Sequence, residues 1–227
     1  MSEHRSRFLL LVASLPWSVL GCEFGLEPIN NGGGDDTGPS GHHTGTTDTA
    51  IDPPEVGSLV ISELMINPTT DDPGQGEWVE IYNSGTDPAY LAGLEISGPT
   101  PQESVQVPNT SSLSITPGSY AVLCRDDRIA LNGGVQCDWG WNSAGLELDD
   151  SSDRVSIGYT IDGVPESYDQ VNYDETSFGL TTGAATGVDL SALNPNSNDD
   201  PASWCNQDSL IGTDGDRGTP GARNDPC

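Results

Sequence analysis

From residue 58 onward, apolar and polar positions alternate in short runs broken by turn residues, a pattern that predicts strands and not helices. Residues 59–67 form a β-rich run that ends at Asn67-Pro68. Residues 77–83 form a second, with Asn83-Ser-Gly85 as its turn. On a strand, Trp78, Glu80 and Tyr82 would share one face and Val79 and Ile81 the other. Further strands are expected at 90–97, 104–107, 112–116, 119–124, 145–148, 154–160 and 166–173. Pro117-Gly118 and Asp162-Gly163 supply two of the turns between them. About nine short strands at this spacing predict an all-β fold, an antiparallel β-sandwich. No window carries a convincing stripe of period 3.6. Residues 174–227 are rich in Gly, Asn, Asp and Pro, and are expected to form an irregular C-terminal extension packed back on the sandwich and pinned by Trp204 and cysteines.

The residues before 58 follow other rules. His4, Arg5 and Arg7 form a basic start, and residues 8–15 an apolar run too short to span a bilayer. Val19-Leu-Gly-Cys22 then resembles the lipobox of bacterial lipoproteins. Residues 1–21 are therefore expected to be a lipoprotein signal peptide and Cys22 the lipidation site. That implies a membrane partner through a lipid anchor and a cell-envelope location, with Glu23 in place of Asp favouring the outer membrane. Residues 22–57 read as a disordered Gly/Thr/Asp-rich linker that cannot bury enough apolar area to offset ordering entropy. His42 and His43 fall inside this linker.

Several pieces of the 58–227 region together resemble the lamin tail domain. Val60-Ile-Ser-Glu-Leu-Met-Ile-Asn-Pro68, Gly76-Glu-Trp-Val-Glu-Ile-Tyr-Asn-Ser-Gly85 and Leu91-Ala-Gly-Leu-Glu-Ile96 look like its opening. Leu113-Ser-Ile-Thr-Pro-Gly-Ser-Tyr-Ala-Val-Leu123 resembles its middle strands, and residues 145–157 its later hairpin. Gly215-Asp-Arg-Gly-Thr-Pro-Gly-Ala-Arg-Asn224 matches the closing motif of bacterial versions. The resemblance implies an immunoglobulin-like sandwich used as a targeting or binding module, with a protein or polysaccharide ligand. It supplies no catalytic residues.

Charge narrows the partners. The formal net charge is −28, and all seven basic residues are Arg. Such a surface repels phosphate backbones, because nucleic-acid affinity comes from Lys and Arg displacing counterions. A nucleic-acid partner is therefore not expected. A Ser-His-Asp triad is excluded from the domain, since residues 58–227 contain no His. Glu77 and Glu80 would sit on opposite faces of a strand, a poor arrangement for paired acid–base work. The domain is expected not to be an enzyme; a hydrolase with an unrecognised carboxylate site is the minor alternative.

Beyond Cys22 there are four cysteines, Cys124, Cys137, Cys205 and Cys227. An even number in an exported chain points to disulfides, and four cysteines permit three pairings. Cys124–Cys137 and Cys205–Cys227 are favoured because each closes a short loop. No cofactor is expected, with calcium as the possible exception. Its candidate ligands are Asp149, Asp150 and Asp153, and Asp214 with Asp216; Asp71-Asp72 and Asn198-Asp199-Asp200 are similar clusters. They motivate a second reading, a calcium-stabilised extracellular adhesion module.

Overall fold

A computed structural model describes residues 52–69, 75–142, 145–212 and 215–227. Two sheets face each other across one apolar core. The first has six strands in the order β12-β11-β1-β2-β7-β8. They are β1 (Leu59–Met65), β2 (Trp78–Asn83), β7 (Tyr120–Cys124), β8 (Trp139–Gly140), β11 (Thr186–Val188) and β12 (Trp204–Asn206). The second runs β10-β9-β4-β5, from β4 (Glu95–Ser97), β5 (Ser104–Gln106), β9 (Ser152–Ile161) and β10 (Val164–Asp174). A two-stranded piece joins β3 (Ala89–Tyr90) to β6 (Ser114–Ile115). Strand pairing is antiparallel except between β7 and β8.

Strand β1 lies in the interior of its sheet, and every one of its residues is buried. A strand covered on both faces reads as a nearly continuous apolar run, which residues 59–66 are. The exceptions, Ser62 and Glu63, mark a bulge: Ile61 pairs with Ile81 and Glu63 with Glu80, leaving Ser62 as the extra residue. Leu59, Ile61, Leu64 and Ile66 all reach the main core across this slip. The slip also aligns Glu63 with Glu80, side by side across the β1–β2 ladder. A second, smaller cluster lies elsewhere and includes Met65, Trp78, Val122 and Ile211. The expected split of β2 therefore holds, with Val79 and Ile81 in the main core and Trp78 in the smaller cluster.

The hairpin β9–β10 turns at Asp162-Gly163, both with positive φ (52° and 80°), as a tight two-residue turn demands. Other expectations are corrected. The strand at 90–97 is broken into β3 and β4 by a turn closed by the Leu94 N–H on Leu91 O. Residues 145–148 form no strand; the Leu148 N–H donates to Glu77 instead. The C-terminal extension is not wholly irregular. It contributes a short helix, α1 (Glu175–Phe178), and the strands β11 and β12, which widen the first sheet beyond β1.

Trp204 pins this region as expected: it packs on Phe178 and donates its indole N–H to Asn198 O at 2.7 Å. Cys124–Cys137 and Cys205–Cys227 are both disulfide-bonded, with Cα atoms 5.9 and 5.6 Å apart. Pro54 O accepts the Tyr168 hydroxyl at 2.6 Å, so contacts with the sandwich begin before residue 58. No helix among the described residues is long and apolar enough to cross a membrane. Residues 1–21, expected to be a signal peptide, and Cys22, His42, His43, Asp71, Asp72 and Asp214 lie outside the described residues.

Candidate functional site

A cleft of about 750 Å³ opens beside the ends of several strands. Ile66, Asn67 and Pro68 enter it from the end of β1 and Glu77 from the start of β2. Pro99 and Glu103 come from the β4–β5 loop, and residues 147–153 from the segment leading into β9 and its first two residues. Six of these lining residues are acids: Glu77, Glu103, Glu147, Asp149, Asp150 and Asp153.

Glu77 is the buried anchor of this cleft. Its Oε1 pairs with Arg125 Nη1 at 3.0 Å and its Oε2 accepts the Leu148 N–H at 3.1 Å. The other arm of Arg125 reaches Glu147 at 3.3 Å. Burial pushes the Glu77 carboxyl up to about 7, against the opposing pull of the Leu148 N–H and Arg125.

The calcium candidates divide. Asp149, Asp150 and Asp153 share the cleft. Asp149 Oδ1 accepts the N–H groups of Ser151 and Ser152, and the Ser151 hydroxyl holds its pKa below the usual carboxylate value. Asp153 accepts the Asp149 and Arg154 N–H groups. Burial raises Asp153, while burial and the neighbouring Asp149 and Glu147 raise Asp150. Asp216 is not among the residues of this cleft. Its Oδ1 accepts the Thr69 N–H at 2.9 Å and so ties the closing motif to the end of β1. Asn198 is fully buried and Asp200 caps a 3-10 turn through the Ala202 N–H, so these two residues are structural. Among the described residues, no three His, Cys, Asp or Glu are placed to hold a metal ion together.

Glu77 and Glu80 do not act together. Glu80 is fully buried, paired across the ladder with the equally buried Glu63, and the closing segment hydrogen-bonds to both carboxyls. Glu63 accepts the Thr219 N–H at 2.9 Å and Glu80 the Gly221 N–H at 2.7 Å. Sequence reasoning missed this pair. Its signal was present: a Glu within a run apolar enough to be buried on both faces.

The family model described as the Lamin Tail Domain matches residues 52–174, more than half of the chain. No curated protein matches. The matched stretch ends where α1 begins, so β11, β12 and the closing segment lie beyond it.

Proposed function

Since the chain belongs to the lamin tail domain family, an immunoglobulin-like binding and structural family and not a known enzyme family, we propose that it is a non-catalytic, lipid-anchored cell-envelope protein that presents this domain for binding. One observation carries the binding half of this reading: the acidic cleft, lined by six carboxyl residues of which only Glu77 and Glu147 pair with Arg125. A surface of this sign selects cationic or hydroxyl-rich protein and polysaccharide ligands and rejects nucleic acid. The non-catalytic half rests on how the buried carboxyls are used. Glu63, Glu77 and Glu80 each accept internal hydrogen bonds, which is support for structural and not acid–base duty.

The anchor rests on Val19-Leu-Gly-Cys22, and the acidic linker that follows would hold the domain away from the membrane. Fractionation of host cells tests it. The full chain is expected in the membrane fraction and a Cys22→Ser chain in the soluble fraction. Equal distribution of the two would sink the anchor.

A second reading, a calcium-stabilised adhesion module, would need the cleft acids Asp149, Asp150, Asp153, Glu103 and Glu147 to draw together, since among the described residues no three acids are placed to hold an ion. Thermal unfolding in millimolar calcium and in chelator separates the two. A rise in Tm with calcium supports the second reading; identical curves remove it.

A further inference from the structure

The Glu63–Glu80 pair raises a question of proton counting. Thr219 Oγ1 lies 2.8 Å from Glu63 Oε2, 3.4 Å from Gln207 Oε1 and 3.3 Å from Asn224 Oδ1. Other bonds fix both carboxamides. Gln207 Oε1 accepts the Asp225 N–H at 2.6 Å, and Asn224 Nδ2 donates to Ser62 O and Val188 O at 2.8 and 2.9 Å. One hydroxyl with one proton thus faces three acceptor oxygens. A proton on Glu63 resolves the conflict: the acid donates to Thr219 Oγ1, and the hydroxyl donates onward to a carboxamide.

The arrangement at Glu80 is parallel. Ser62 Oγ lies 2.7 Å from Glu80 Oε1 and 3.3 Å from the Glu80 carbonyl oxygen. A protonated Glu80 donates to the hydroxyl, which passes its own proton to the carbonyl.

Burial and neighbouring carboxyls favour the neutral forms, against the pull of hydrogen bonds from Thr219 on Glu63 and from Ser62, Gly221 and Ala222 on Glu80. Asp225 faces Glu63, and Glu63 faces Glu80 across the ladder. Tyr120 lies near both glutamates, and near Tyr82 and the exposed Arg223. The ion pairs among the described residues include neither glutamate.

We propose that the closing segment 215–227 is a protonation-gated latch, shut on the first sheet while Glu63 and Glu80 carry protons and loosened when both ionise. Two carboxylates side by side in a buried site repel each other, and no ion pair among the described residues offsets their lost hydration. Burial pushes Glu63 up to about 7 and Glu80 well above its ordinary value, so the closed form loses its proton-linked advantage as pH rises to neutral and beyond. The sign follows from linkage. The closed form binds protons more tightly than the open form, so closure is favoured in acid and weakens as pH rises through about 7. The Cys205–Cys227 disulfide keeps the segment tethered at both ends, so opening is local and reversible. Gly218 lies against Trp78, so opening would bare part of that side chain.

Hydrogen exchange on the full oxidised chain tests this, from about pH 5.5 to about pH 9, corrected for the intrinsic pH dependence of exchange. The reporters are the Thr219 and Gly221 amides, which donate to Glu63 and Glu80, read against amides of the β2–β7 ladder. Their protection is expected to fall by at least about tenfold across the range while the ladder stays protected. In a Glu63→Gln, Glu80→Gln chain, whose side chains stay neutral and keep a donor, protection is expected to be flat. Should the double variant not fold, Glu80→Gln alone is expected to shrink the fall. Constant protection in the native chain, or an unchanged fall in the Gln chains, overturns the latch.

Discussion

Asn198 shows what one side chain does here that its neighbours in sequence do not. Its Nδ2 donates to Ile61 O at 3.2 Å and to Asp169 Oδ2 at 2.7 Å, while Asp169 Oδ2 also accepts the Ile61 N–H at 2.6 Å. The three groups join the bulge of β1 to β10 in the facing sheet. Asn198→Ala leaves a buried carbonyl and weakens the ties on a buried carboxyl, so it is expected to destabilise by about 2–3 kcal/mol. A urea titration that shows no shift in midpoint would contradict that role. Glu77→Ala is expected to cost about 3 kcal/mol or more, since Arg125 and the Leu148 N–H lose their shared acceptor; urea unfolding again gives the measure. Residue type alone did not reveal these duties. Asn198-Asp199-Asp200 reads as an oxygen cluster, and only the fold turns the first inward and makes the third a cap. By contrast, Val79 and Ile81 were legible as one buried face because apolar burial follows the two-residue period directly.

At the scale of elements, legibility followed length and turn chemistry. The β9–β10 hairpin announced itself through alternation and Asp162-Gly163. β11 and β12 did not: each has three residues, and β11 carries Gly187 at its centre. The glycine has a packing reason. A Cβ there would sit 2.5 Å from Gln207 Nε2 and 2.8 Å from Asn224 Nδ2, where two carboxamides crowd the strand. Gly187→Ala is accordingly expected to destabilise by about 1–3 kcal/mol, read as a lower denaturation midpoint. Replacing Cys205 and Cys227 together by Ser is expected to cost about 2–4 kcal/mol. The loss should appear first as faster exchange in β12 and the closing segment, with β2 and β7 nearly unaffected. Uniform acceleration through both sheets would mean that the extension is integral to the core and not docked upon it.

The whole molecule is acidic outside and holds raised carboxyls inside, and both features set its response to pH. Burial raises Glu63 and Glu77 to about 7 and Asp169 to about 6, whereas in the unfolded chain each ionises near its ordinary value. The folded state therefore binds more protons between about pH 4 and 7, and stability falls as pH rises through that window. A net charge of −28 adds self-repulsion in the same direction. The unfolding free energy from urea titration is expected to be higher at about pH 5 than at about pH 8, by on the order of a few kcal/mol, with a correspondingly higher midpoint. A midpoint that rises with pH would contradict the burial of these acids. The sandwich was legible at this scale from strand spacing and from the motifs shared with the lamin tail domain, and the family match supports it. The cleft was legible only in part, as the run Asp149-Asp150 with Asp153; Glu77 and Glu103 join it through folding alone.

The central claim, a lipid-anchored envelope protein that presents a disulfide-braced domain, meets its most direct test in the intact mass of the full chain recovered from a bacterial host, before and after reduction. The account predicts an N-terminus at Cys22 carrying the mass of its acyl groups, and a gain on reduction of the four hydrogens that Cys124–Cys137 and Cys205–Cys227 require. A chain with an intact N-terminus, no lipid and no change on reduction would contradict both the anchor and the exported setting proposed for this domain.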